Sequence, residues 1–150
     1  FMVEIVDPKK NETILDPACG TAGFLIASYK HIIRQNSSKY HPDEHNGTSP
    51  NGDVSVADRI ISTNGYAGDK LTAEDRKILA KNIHGYDISP DMVRLSLVNM
   101  YLHGIKDPKI YEYDTLTSED NWHHYSDVIL ANPPFSGSIQ ISGGMSTYST

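Results

Sequence analysis

An α/β fold built on a parallel sheet is what this sequence predicts, and three observations predict it. Short apolar runs alternate with segments whose apolar residues recur at helical spacing, the pattern of strands joined by helical crossovers. The stretch Ile14-Leu15-Asp16-Pro17-Ala18-Cys19-Gly20-Thr21-Ala22-Gly23-Phe24-Leu25 runs from an apolar strand through a loop of small residues into a helix. Such a turn makes a nucleotide-type pocket at the carboxyl edge of an α/β sheet. The run Asp127-Val128-Ile129-Leu130-Ala131 is apolar without alternation, as expected of a strand covered on both faces.

The elements follow in order. Residues 1–6 read as the end of a helix, stopped before Asp7-Pro8. Residues 12–16 form the first strand. Residues 21–35 form a helix, with Phe24, Leu25, Tyr29, Ile32 and Ile33 at helical spacing. From Asn36 to about Gly52 the chain is polar and rich in Ser, His, Asn, Gly and Pro, so a mobile surface insertion is expected within residues 36–70; residues 54–66 fit no single pattern. Thr72 caps a short helix that continues through Lys81. Residues 82–87 form the second strand. Ser89-Pro90-Asp91 opens a helix that Gly104 ends, with Met92, Leu95, Val98, Asn99 and Leu102 as its periodic face. Residues 109–113 and 127–131 are the third and fourth strands, and residues 136–150 read as a loop.

At 150 residues the chain suits one domain with a real core. Its start in mid-pattern at Phe1-Met2, its Ser/Gly/Thr ending and its incomplete sheet read as a piece of a larger protein that lacks the last strands. The net charge of −6 argues against a module that grips duplex DNA by itself. One cysteine, Cys19, excludes an internal disulfide and fits a reducing cytosol. No signal peptide is visible, and no apolar run reaches membrane-spanning length.

The chemistry gathers at strand ends. Asp16 ends the first strand, Asp87 the second, Asp114 follows the third and Asn132 the fourth, all at the edge where open α/β sheets bind ligands. Gly20 and Gly23 allow a tight turn and close approach of a ligand. A carboxylate such as Asp87 can accept from two ribose hydroxyls, Asp114 from an adenine amine, and Asp16 can serve the far end of the ligand or order the loop. Solvated or helix-capping acids are the plain alternative, which three acids at successive strand ends disfavour. Asn132-Pro133-Pro134-Phe135 is a sharper signal. Two prolines remove two donors and stiffen the loop, leaving carbonyls and the Asn132 amide oxygen as acceptors for a planar NH2 group. Phe135 offers a face for a base to stack on. A simple strand-ending turn is the competing reading.

These two motifs make the chain resemble the S-adenosylmethionine-dependent amino-methylating DNA methyltransferases, and more closely the modification subunit of type I restriction-modification systems. Asp16 through Phe24 matches the cofactor motif of that family, with Ala22 where Gly is commoner, and Asn132 through Phe135 matches its catalytic motif. The resemblance implies a Rossmann-like class I methyltransferase fold. It implies cofactor contacts from Asp16, Pro17, Ala18, Cys19, Gly20, Thr21, Gly23, Phe24, Asp87, Ile88, Asp114 and Thr115, and catalysis at Asn132, Pro133, Pro134 and Phe135. Its substrate would be an adenine flipped out of DNA, its partners a specificity and a restriction subunit, its location the cytoplasm, with no membrane and no metal. The upstream cofactor motif of the family is absent.

Other readings fare worse. Glutamine or RNA methylation would use the same acceptors, but those families more often carry Tyr where Phe135 stands. A non-catalytic scaffold would not need the intact Asn132 cluster, and a dehydrogenase would need a different glycine spacing. Cytosine carbon-5 methylation needs a cysteine near the fourth strand, so Cys19 is read as a packed loop residue. His41-Pro42-Asp43-Glu44-His45 matches a zinc pattern that requires a helix, which Pro42 disfavours.

Overall fold

Four short strands form one fully parallel sheet: β1 (Ile14–Asp16), β2 (Ile83–Asp87), β3 (Lys109–Glu112) and β4 (Val128–Ile129). The structure is a computed structural model that describes residues 1–38, 66–115 and 125–132. The helices are α1 (Met2–Val6), α2 (Gly23–Gln35), α3 (Ala73–Asn82) and α4 (Pro90–Leu102). The strand order is β3-β2-β1-β4, so the winding reverses at β1. In such sheets the reversal opens a crevice at the carboxyl ends of the two strands that flank it, here β1 and β4.

The core lies between the sheet and the helices on one of its faces. Leu25, Ile32 and Ile33 of α2 are buried there with Ile14, Ile83, Ile110 and Met100. α2 begins two residues later than its pattern predicts, because Ala22 takes a left-handed conformation (φ 64°) ahead of the first helical residue. α3 starts where expected, in a capping box: the Asp75 amide donates to the Thr72 hydroxyl at 3.0 Å and the Thr72 amide to the Asp75 carboxylate at 3.0 Å. α4 carries Pro90 in its first turn and is followed by Gly104 at φ 88°. At the near end of the expected insertion, Ser37 donates to the Ile33 carbonyl at 2.8 Å and accepts from the Gly68 amide at 2.7 Å. Residues 39–65 of that insertion, including His41 through His45, lie outside the described residues, as does the loop expected at 136–150.

Two expectations about facing are corrected. Met92, Leu95, Val98 and Leu102 of α4 point outward, and Val93, Ser96, Leu97 and Met100 meet the core instead. The helix is apolar on both sides, so spacing alone does not choose its buried stripe. In the fourth strand Val128 and Leu130 are buried, but Ile129, on the opposite side of the pleat, is 59% exposed among the described residues.

One contact sets how closely the site loop lies on the sheet. A Cβ on Gly85 in β2 would stand 2.7 Å from Ile110 Cδ1, 2.8 Å from Leu25 Cδ1 and 3.1 Å from Cys19 Cβ. A side chain there would have to displace the buried tips of Leu25 and Ile110 and crowd the loop at Cys19. Gly85→Ala is therefore expected to cost about 1–3 kcal/mol through overpacking. A lowered urea midpoint with unchanged slope in the full-length protein is the readout.

Candidate functional site

The loop after β1 is held from four directions. The Asp16 carboxylate accepts from the Ala18 amide at 3.1 Å, folding the turn back on its own strand. The Cys19 amide donates to the Tyr86 carbonyl at 2.8 Å, and the Gly20 amide donates to Asp87 Oδ2 at 2.9 Å, tying the loop to the end of β2. The Asn99 side-chain amide donates to the Thr21 carbonyl at 2.8 Å, tying it to α4. Thr115, past the end of β3, donates its hydroxyl to the Pro17 carbonyl at 3.1 Å.

The left-handed positions fall on Gly20 (φ 51°) and Ala22 (φ 64°), not on Gly23, whose role in the turn is thus corrected. Gly normally fills such a position without strain; Ala22 does so at a cost of about 1 kcal/mol. A Cβ built on Gly20 or Gly23 would meet nothing within 4 Å, so the space over the loop is open to a ligand. The first turn of α2 begins at the edge of that space, and a helix start attracts negative or hydrogen-bond-accepting groups.

Asp87 is half-buried, and both its oxygens already accept: Oδ2 from Gly20 and Oδ1 from the Ser89 amide at 2.8 Å. A carboxylate carries about four lone-pair sites, so capacity for two hydroxyls remains. Ile88 beside it is two-thirds exposed, an apolar surface at the rim. Asp114 is half-buried at the end of β3. Asp16 is only 2% exposed, and burial, aided by the charge of Asp87, pushes its carboxyl up to about 6. Cys19 is buried, and its thiol is pushed up to about 12 by burial and by Asp16 and Asp87, which excludes a thiolate nucleophile at neutral pH. Phe24 packs half-buried against the core; Pro17 and Ala18 are half-buried and Thr21 is exposed.

The fourth strand brings its amide to the same edge. Leu130 donates to the Leu15 carbonyl at 3.0 Å, so Asn132, two residues on and exposed, stands past β4 beside the end of β1. Pro133, Pro134 and Phe135 lie outside the described residues. Among the described residues no cluster of His, Cys, Asp and Glu could hold a metal ion, and no helix is long and apolar enough to cross a membrane. A cavity of about 160 Å³ between α1 and α2, lined by His31, Arg34 and Tyr66 among others, touches none of these residues.

The buried Asp16 has a consequence for stability. Its folded pKa lies above the ordinary carboxylate value, so the folded chain holds a proton that the unfolded chain releases. The contribution is fully present below about pH 4 and is lost as pH rises through about 6. The unliganded full-length protein should lose about 2–3 kcal/mol from this group between pH 4 and pH 7. Asp16→Asn, which keeps an acceptor for Ala18, should flatten that dependence in urea titrations at stepped pH.

Fold and site together define an α/β core in which an anchored glycine-containing loop after β1 and the exposed Asn132 past β4 stand at one edge of a parallel sheet. The profile of the N-6 DNA methylase family matches residues 1–144, and the chain belongs to that family. It is 32% identical over 139 residues to the methylase subunit of the type I restriction enzyme EcoEI of Escherichia coli, covering 91% of this chain and 22% of that protein. A solved structure from a study of type I restriction-modification complex assembly superposes with a TM-score of 0.62 at 31% identity, over 91% of this chain and 21% of the other. The M protein of the type I restriction enzyme EcoKI gives a TM-score of 0.61 at 23% identity, over 91% and 23%, a likeness of fold. The chain thus spans about a fifth of the length of these relatives.

Sequence reasoning missed Gly85, Thr115 as a strut under Pro17, and Asn99 as the tie to Thr21. Gly85 stood inside Gly85-Tyr86-Asp87-Ile88 and offered only its missing side chain as a signal.

Proposed function

We propose that the protein to which this chain contributes methylates the exocyclic amine of adenine in DNA, as modification subunit of a type I restriction-modification complex. The observation that carries this reading is the approach of two features at one crevice: the anchored loop after β1 and the Asn132 amide past β4. S-adenosylmethionine is the donor that fits, and when bound it supplies an activated methyl group. Asp87 would hold its ribose hydroxyls, Ile88 an apolar face against its base, Asp114 its base amine, and Thr115 would steady the Pro17 turn. Asp16 and the loop from Pro17 through Phe24 would hold the remainder, with Gly20 and Gly23 leaving the space free.

Asn132 and Pro133 would act on the acceptor. Adenine must leave the duplex to reach a crevice of this kind. Its amine is a weak nucleophile because the ring withdraws its lone pair. The Asn132 side-chain oxygen and the Pro133 carbonyl would accept its two hydrogens and draw the nitrogen towards tetrahedral geometry. Those bonds strengthen as positive charge grows on nitrogen, so they favour the transition state over the ground state. Pro134 would stiffen the cluster, and Phe135 would stack on the base. The acidic charge of the chain fits recognition of DNA by a separate specificity subunit, and a restriction subunit would complete the complex.

The test supplies labelled S-adenosylmethionine and DNA to the full-length protein, with and without its specificity subunit, and identifies the labelled nucleoside. N6-methylated adenine that depends on the partner is expected. Label in protein glutamine, in RNA or in cytosine would overturn the reading.

A further inference from the structure

We infer that the outward face of α4 is a docking seam for another α-helix of the same polypeptide. The helix has two apolar stripes. Val93, Ser96, Leu97 and Met100 face the core. On the other side Leu95 is 47% exposed, Val98 57% and Leu102 49%, flanked by Met92 at 37% and Tyr101 at 66%. A surface helix normally carries one apolar stripe toward the core and polar residues on the opposite face, and α4 departs from that with a second apolar stripe. α3 shows what a solvent face looks like in this same fold: Glu74, Arg76, Lys77 and Lys81 are exposed around the single fully buried Leu79.

The geometry of the stripe selects the occupant. Leu95, Val98 and Leu102 are spaced by three and then four residues, the seam that takes one helix at a shallow crossing angle. No charge interrupts its middle. Asp91 and Arg94 lie at its start and pair with each other at 3.1 Å. Permanent contacts within one chain or an obligate assembly are more apolar than those that open and close. The chain covers 22% of the EcoEI methylase subunit, so most of a polypeptide of that kind is available to supply the covering helix. The seam also bears on the site: the first turn of α4 sets the Ser89 amide on Asp87, and Asn99 holds the Thr21 carbonyl. A helix laid on α4 would steady both loops. The inference holds whatever the methyl acceptor proves to be.

The test is thiol accessibility in the folded full-length protein, read by mass spectrometry of the peptide that carries the site. Val98→Cys is compared with Lys77→Cys, a position on α3 whose side chain is 77% exposed. In the purified protein without partner subunits, Cys at 98 should react with a maleimide at least about tenfold more slowly than Cys at 77, and denaturant should equalise the two. Equal rates in the folded protein would overturn the inference. So would protection that appears only on adding the specificity subunit, or protection that fades on dilution, which would mark a second copy. A Leu95→Glu/Val98→Glu variant should in addition lower the thermal midpoint of the full-length protein.

Discussion

Asn132→Ala should lower the rate of methyl transfer by about 10²–10³-fold while leaving the affinity for S-adenosylmethionine close to that of the unaltered protein. In the proposed reaction the substitution would remove an acceptor whose bond strengthens as charge develops on the target nitrogen, so the loss would fall on turnover rather than on donor binding. The residue is exposed past β4, and no packing or folding cost is expected from trimming it. Turnover with labelled donor and specific DNA, set beside donor affinity by calorimetry, separates the two quantities. A variant that keeps its rate within tenfold would remove Asn132 from the chemistry. A variant that loses donor binding in equal measure would place it with the cofactor instead.

The skeleton of this fold was written in local signals. Thr72 followed three residues later by Asp75, Ser89-Pro90, Gly104 and the apolar run into Asp16 each act over a few residues, and each element stands where those signals put it. The acids were legible for the same reason: a strand direction and a period of two suffice to bring Asp16 and Asp87 to one edge. What escaped depends on partners distant in sequence. The spacing of α4 does not say which stripe meets the sheet: Ser96 and Met100 are fully buried there, while the large residues opposite stay exposed. Gly85 matters because Leu25 and Ile110 arrive over it from two other elements. Of the two left-handed residues of the loop, Gly20 and Ala22, the second carries a side chain that hides the conformation a glycine would have advertised. Asp87 looked from its position like a ligand acceptor alone; the fold shows it first as the clasp between the loops after β1 and β2.

That double duty makes Asp87→Ala the most disruptive single change expected on the donor side. Two backbone amides, those of Gly20 and Ser89, would lose a charged acceptor at 2.9 and 2.8 Å, and bound ribose would lose its partner as well. Hydrogen bonds to a charged group are worth about 1.5–3 kcal/mol each, so donor affinity should fall by about 10²-fold or more, and stability by about 3 kcal/mol or more. Asp87→Asn should fall between: its single carbonyl oxygen can serve one amide, while its NH2 turns a donor toward the other. The signature is opposite to that of Asn132→Ala, a large loss in binding with a smaller loss in rate once the protein is saturated. A second readout is independent of any ligand. The charge of Asp87 helps to raise the Asp16 carboxyl, so its removal should move the pH midpoint for loss of stability below about 6. Unchanged donor affinity together with an unchanged midpoint would show that the two acids do not share a site.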